Sequence, residues 1–322
     1  MKRVIITMPV YNGEKYLPAL LDSIAAQTYP ALKLYVRDDG STDASVRILR
    51  DYQRNFPEGK ELVLVNDLDR DMGNKGPHEN FHHIFHILQD CRYRDDAAAD
   101  YYFFCDQDDV WAPEKIERAV SRMDRYPANT PVLYIHNYYV CDGDLNIQHT
   151  LPDRPCVTPQ EMERINLAKV IMTGTWAGMG MAQGFNLTLK KLAFDSGPLT
   201  PSVAVDCWIS WVVAGMNGAL IYDKSPLAHY RRHSDTFSSG NAGGLKRYRD
   251  WHKNMDRHCS NIINGIHDYH RLYGEKVSPQ RRYFLELYDS KKGILKCLYP
   301  HRLRDSLVAE IALRVLAAAG KI

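Results

Sequence analysis

The first 110 residues alternate short apolar runs with amphipathic stretches. Val4 to Met8, Leu32 to Val36, Leu62 to Val65 and Tyr101 to Cys105 have strand length and β-forming residues, and the segments between them carry helical spacing. Phe81, Ile84, Phe85 and Leu88, at i, i+3, i+4 and i+7, gather on one helix face. Four β-then-α units predict an α/β fold, with a parallel sheet covered by helices on both sides. In such sheets ligands sit beyond the carboxyl ends of the strands, so chemistry is sought in the polar residues that follow each strand.

After about residue 130 the pattern becomes mixed. Val132 to Val140 reads as a strand, 174–186 is rich in glycine, and Val205 to Ala214 reads as a compact helix. Ser238 to Gly244 has loop or linker composition. Beyond it the chain is basic and helical, with Leu303, Leu307, Ile311 and Val315 four apart and Arg304, Glu310 and Arg314 elsewhere on the wheel.

Composition narrows the class. With 322 residues, 45% hydrophobic and 25% charged, the chain matches an ordinary globular protein of one or two domains, not a disordered or collagenous one. Its 41 Lys+Arg against 39 Asp+Glu leave +2, but residues 241–322 hold 16 against 8, a surplus of +8, and residues 1–240 hold 25 against 31, a deficit of −6. No general affinity for nucleic acid is expected, and the tail is suited to meet something anionic. Seven scattered cysteines without a C-x-x-C pair indicate neither a disulfide framework nor a zinc knuckle, and point to a reducing cytoplasm. Lys2 and Arg3 precede Val4-Ile5-Ile6, but Pro9, Asn12 and Gly13 break the run too soon for a signal peptide. The longest apolar stretch, Ile209 to Tyr222, contains two glycines and an asparagine, so a soluble or membrane-peripheral protein is expected.

Two strands end in turn-forming runs, Pro9-Val10-Tyr11-Asn12-Gly13-Glu14 and Arg37-Asp38-Asp39-Gly40-Ser41-Thr42-Asp43, where Ser41 or Asp43 could cap the next helix. The fourth ends in Asp106-Gln107-Asp108-Asp109, and three carboxylates at one strand exit repel one another unless a cation joins them. In an extended segment Asp106 and Asp108 point the same way and can share one divalent ion, while Asp108 or Asp109 could instead cap the helix near Pro113. A metal held by few carboxylates completes its shell with water and phosphate oxygens, which predicts a phosphorylated substrate. His78, His82, His83 and His86 lie close together, but no H-E-x-x-H is present, and they are read as a solvated helix face rather than a zinc site.

Met8-Pro9-Val10-Tyr11-Asn12-Gly13-Glu14-Lys15-Tyr16-Leu17, Gln27-Thr28-Tyr29-Pro30, Asp38-Asp39-Gly40-Ser41-Thr42-Asp43, Asn74-x-Gly76-x-x-x-Asn80-Phe81 and Asp106-Gln107-Asp108-Asp109-Val110-Trp111-x-Pro113 together resemble family 2 glycosyltransferases. The last motif is particularly similar to bacterial rhamnosyltransferase-type members, and the resemblance covers residues 3–120, with a lesser match to about 240. It implies a GT-A fold in residues 1–240, with a Rossmann-like nucleotide-binding half to about 125 and a mixed acceptor half, followed by a basic helical region over 241–322. It also implies inverting transfer of a sugar from a nucleoside diphosphate, dTDP- or UDP-linked, to a glycan or lipid-linked glycan in surface polysaccharide assembly.

By the same resemblance Pro9, Tyr11 and Glu14 would line the nucleoside pocket, Asp39 would accept a hydrogen bond from the base, and Asp106 would lie by the ribose with Gln107 beside it. Asp108 would ligate Mn²⁺ or Mg²⁺. Val205-Asp206-Cys207-Trp208 resembles the family's acidic catalytic motif, making Asp206 the general base and Trp208 an acceptor contact, although Val205 stands where the family has an acidic residue or His. Asp206 could alternatively cap its helix. Leu227-Ala228-His229-Tyr230-Arg231-Arg232-His233 resembles the family's closing Tyr-Arg-x-His, offering His233 to the metal or phosphate and Arg231 or Arg232 to the diphosphate. Gly180 to Asn186 looks like the strand the family runs beneath the donor. The basic tail would dock on the inner face of the membrane, or pack on the domain or on a second subunit as a homodimer.

Two other readings stand beside this one. Asp106-x-Asp108-x-Val110 also fits a haloacid-dehalogenase-type phosphatase motif, though that family opens with this strand and leaves the Asp38 to Ser41 turn unexplained. A non-catalytic nucleotide-sugar-binding protein is the other, kept open by Val205.

Overall fold

The computed structural model describes residues 1–65, 82, 98–173, 178, 180–197, 203–233, 255–289, 293–297, 299–304 and 307–321. The helix expected through Phe81, Ile84, Phe85 and Leu88, the motif from Asn74 to Phe81, His78, His83, His86, the Ser238 to Gly244 stretch and part of the Gly-rich passage lie outside them.

β1 (Val4–Val10) leads to α1 (Leu17–Ala25), β2 (Leu32–Asp38) to α2 (Ser45–Asn55), and β3 (Lys60–Leu64) and β4 (Tyr101–Phe104) follow. These strands lie in the order β3-β2-β1-β4, all parallel, as the alternating units predict. The second half holds β5 (Val110–Trp111), α3 (Lys115–Met123), β6 (Val132–Cys141), β7 (Ile147–Thr150), α4 (Pro159–Met162), α5 (Leu167–Thr173), a 3₁₀ turn at Gly180–Ala182, β8 (Gln183–Asn186), α6 (Leu187–Phe194), α7 (Val205–Gly215) and β9 (Ala219–Arg231). β8 runs antiparallel between β4 and β6, β6 is parallel to β9, and β9 is antiparallel to β5. Parallel and mixed halves thus form one nine-stranded sheet among the described residues.

Alternation along the strands divides the core. Val4, Ile6, Met8 and Val10 pack toward Leu17, Leu20, Leu21 and Ile24 of α1 and Ile116, Ala119, Val120 and Met123 of α3. Ile5 points the other way, into a cluster with Leu133, Phe185, Trp208 and Trp211. His82 is buried and meets the Phe194 ring edge-on at 6.2 Å, so it belongs to the core and not to the solvated face expected of it.

α8 (Met255–Tyr273), α9 (Pro279–Asp289), α10 (Gly293–Lys296) and α11 (Leu307–Ala318) complete the chain. Ile266, Tyr269, Phe284 and Leu285 enter the same apolar cluster as the second face of the sheet. The buried Arg281 guanidinium donates to the carbonyls of Gly215 at 3.1 Å and Met162 at 2.6 Å, satisfying backbone groups where α7 and α4 end. At Gly215 only a hydrogen fits, because a Cβ there would stand 1.7 Å from the Tyr269 hydroxyl.

α11 buries a charged residue beside its apolar contacts, with Leu313 and Ala317 in the core next to Glu310. Glu310 is buried and accepts from the Leu303 and Arg304 amides, both at 2.8 Å, while Arg314 bonds Glu310 at 2.8 Å and the Tyr299 carbonyl at 3.0 Å. Satisfying those loop amides and carbonyls draws the charged side inward. Leu307, Val308, Ile311 and Val315 are left 64%, 78%, 55% and 61% exposed, and Leu303, expected on the same stripe, is buried ahead of the helix. No helix of the described residues is long and apolar enough to cross a membrane.

Candidate active site

The carboxyl ends of β1, β2 and β4 lie side by side, and their loops bind one another through backbone amides. Gln107 spans two of them, accepting from the Tyr11 amide at 2.8 Å and donating to the Tyr11 carbonyl at 2.9 Å. Asn12 donates its amide to Ser41 at 2.9 Å, and Glu14 donates its amide to Asp43 at 3.0 Å while its carboxylate accepts from the Ala44 amide at 2.8 Å. Ser41 and Asp43 therefore join loops, and Asp43 also accepts from the Ser45 amide at 2.9 Å at the first residue of α2, next to the Ala44 N-cap. Pro9 is buried in β1, Tyr11 is half-exposed at the rim, and Asp39 is buried beside β1 with its amide on the Val10 carbonyl at 2.8 Å.

Pairing of β5 with β9 carries the end of β9 to the acidic loop. The Arg231 amide donates to Asp109 at 3.1 Å, and its guanidinium donates to the Asp108 carbonyl and the Gly143 carbonyl, each at 2.8 Å. His233 Nε2 lies 2.9 Å from Asp108 Oδ2, and its ring is tilted against that of Tyr16 with centroids 4.5 Å apart. Neither Asp108 nor Asp109 caps α3, whose N-cap is Glu114. The Arg231 guanidinium lies 4.6 Å from the centre of the Tyr16 ring and keeps one buried nitrogen, Nη2, without a hydrogen-bond partner among the described residues, and Arg232 lies over Tyr230 at 5.7 Å.

Asp206 faces this cluster from α7. It lies in the first turn, after an Ala204 N-cap, and its carboxylate accepts from the Cys207 amide at 2.8 Å. A Cβ on Gly180 would touch both the Asp206 Cβ at 3.5 Å and the Phe104 Cβ at 3.8 Å, so the end of β4 and the start of α7 meet across that turn. Burial, then the charges of Asp108 and Asp206, push the Asp106 carboxyl up to about 7, with Lys115 opposing. Burial, then the charges of Asp108 and Asp106, hold Asp109 well above the usual range. Trp208, by contrast, is 2% exposed, with its indole donating to the Ala193 carbonyl at 2.8 Å and its ring among Trp211, Tyr269 and Tyr273. The structure brings it to the core and not to the acidic cluster.

Asp108 and His233 are oxygen and imidazole donors of the kind that suits Mn²⁺, with Asp106 close by. Among the described residues no group of three or more such side chains converges, so a metal here would complete its shell with ligand oxygens and water. Lys115 and Tyr16 are central to the cluster and were not singled out in the sequence. For Lys115 the signal was present: it shares the buried stripe of α3 with Ile116, Ala119, Val120 and Met123.

The family model for glycosyl transferase family 2 matches residues 5–183, more than half of the chain and the parallel half of the sheet from Ile5 onward. The chain belongs to glycosyl transferase family 2. An uncharacterised protein of Mycobacterium tuberculosis is 33% identical over 122 residues, 37% of this chain and 31% of that protein. The dTDP-rhamnosyl transferase RfbG of Shigella flexneri is 30% identical over 132 residues, 41% of this chain and 42% of that protein. The chain therefore matches less than half the length of either relative. Residues 1–349 of Staphylococcus aureus TarS, crystallised with UDP, superpose over 100% of this chain and 88% of theirs, with a TM-score of 0.54 and 16% identity. The family's GT-A fold is thus the fold of this chain.

Proposed function

We propose that the protein is an inverting, divalent-metal-dependent glycosyltransferase, moving a sugar from a nucleoside diphosphate to a glycan or lipid-linked glycan hydroxyl in surface polysaccharide assembly. The observation that carries this reading is the meeting of Asp106, Asp108 and His233 at the β4 and β9 exits with Asp206 opposite them, in a member of this family. Pro9, Tyr11, Glu14, Asp39 and Gln107 shape the nucleoside end, and Asp106 sits toward the ribose. Asp108 and His233 would hold Mn²⁺ or Mg²⁺, which when bound offsets the charge developing on the diphosphate. Asp206 takes the acceptor hydroxyl's proton as that oxygen attacks the anomeric carbon from the face opposite the leaving group, which inverts the centre. The likeness to RfbG supports dTDP-rhamnose as donor and the fold shared with TarS supports a UDP-sugar; these two donors are tried first.

Peripheral docking on an anionic membrane face is part of the same reading. The outward face of α11 carries four exposed aliphatic side chains and no charge, and exposed Arg302 and Lys321 flank the helix. Aliphatic groups flanked by cations suit a lipid boundary.

Donor identity is tested by thermal shift across nucleotide sugars with Mn²⁺. One donor should raise the melting temperature in proportion to the logarithm of its concentration, and no response to any nucleoside diphosphate or its sugars would contradict the assignment.

A further inference from the structure

Lys115 opens α3 directly beneath the acidic loop and is 0% exposed. Its ammonium donates to the Met181 carbonyl at 2.7 Å and lies 3.3 Å from the centre of the Trp111 ring. No carboxylate among the described residues comes within ion-pair distance of it, although Asp106 and Asp109 act on it through space. Burying an ammonium is costly, and a methionine would fill the same space without that cost, so the amine is there for what it holds.

What it holds is the turn at Gly180–Ala182. A Cβ at Gly180 would stand 3.5 Å from the Cβ of Asp206, and Gln183, just after the turn, donates to the Asp206 carbonyl at 3.3 Å. The turn and the strand it opens therefore lie against the start of α7, and Lys115 ties the turn to α3, which follows the segment that carries Asp106 and Asp108. The buried amine of Lys190 is matched to the Asp195 carboxylate at 2.9 Å, and that of Lys296 lies 5.7 Å from the centre of the Tyr288 ring. At Lys115 the hydrogen-bond partner is a backbone carbonyl of the turn next to the proposed base.

We infer that Lys115 is a positioning residue for sugar transfer: by pinning the Met181 carbonyl it sets where Asp206 stands relative to the acidic loop. This inference rests on the reading of Asp206 as general base. Catalysis by a positioned base is sensitive to displacements of an ångström, so loss of the Met181 bond should show in kcat before it shows in nucleotide affinity.

Lys115→Met keeps the volume and removes the donor; Lys115→Gln keeps a donor without the charge. With Mn²⁺ present, Lys115→Met should lower kcat by about tenfold or more, leaving nucleoside diphosphate affinity by calorimetry within about threefold, and Lys115→Gln should recover part of the loss. In an Asp206→Asn background Lys115→Met should cause no further loss, because it acts through that residue. Unchanged kcat in a folded Lys115→Met protein, or additive losses in the double variant, overturns the positioning role alone. Turnover retained by Asp206→Asn overturns the base assignment and this inference with it. Should Lys115→Met fail to fold, Lys115→Gln decides by the same comparison, with equal losses of kcat and nucleotide affinity counting against the inference.

Discussion

Asp108 is held by its surroundings before any ligand arrives. His233 meets its carboxylate, and the Arg231 guanidinium fixes its carbonyl. Asp108→Ala should therefore weaken Mn²⁺-dependent nucleotide binding by roughly 10- to 100-fold, and His233→Ala should weaken it less, since a carboxylate remains for the metal. Calorimetry with and without Mn²⁺ checks both, and equal binding by Asp108→Ala would remove the metal role. The carboxylates were legible in the sequence because they follow apolar strands. The arrival of His233 was legible only through family resemblance, since it depends on the pairing of Val110 with His229, far apart in the chain. Trp208 shows the limit of such transfer: its place after Asp206 reads as an acceptor contact, yet helical periodicity points it into the aromatic core.

At the scale of elements, β8 is the joint between the two halves of the sheet. Its Gly184 sits opposite Phe103 of β4, and a Cβ there would stand 2.3 Å from the Phe103 ring. Gly184→Ala should destabilise the protein by about 1–3 kcal/mol in chemical denaturation, because neither the ring nor the strand can yield without opening the core. The four parallel strands were readable from their apolar runs, which need no distant partner to be recognised. α11 was not. Its spacing indicates a stripe, but which side turns inward is set by the loop amides and carbonyls that Glu310 and Arg314 satisfy. Replacing Ile311 and Val315 by Asp should abolish co-sedimentation with anionic vesicles while leaving turnover on a soluble acceptor unchanged. Undiminished vesicle binding by that variant would remove the helix from the membrane account.

For the molecule as a whole, stability and catalysis draw on different ionisations. Burial opposes the charge of Asp223, but bonds from the Ser225 amide and Arg118, with the nearby Arg122, outweigh it and hold the carboxyl below its usual range. A carboxyl lowered on folding contributes stability that is complete above the ordinary carboxylate pKa and is lost as pH falls through the folded value. Melting temperature should therefore fall in acid below about pH 4, and Asp223→Asn should flatten that slope at a cost of about 1–3 kcal/mol near neutrality. A melting profile equally steep in both proteins would contradict this. Near-neutral net charge conceals two parts of opposite sign, and the acidic one carries the cluster formed around Asp106, Asp108 and Asp206.

The most direct test of the central claim is product release from a nucleotide sugar, followed with and without Mn²⁺ and with and without a glycan acceptor, in the wild type and in Asp206→Asn. The account predicts nucleoside diphosphate released only when both metal and acceptor are present, with the anomeric centre inverted in the product. Asp206→Asn should bind the donor and lose at least about 100-fold in turnover. Inorganic phosphate released without an acceptor, or turnover in Asp206→Asn equal to wild type, would contradict it.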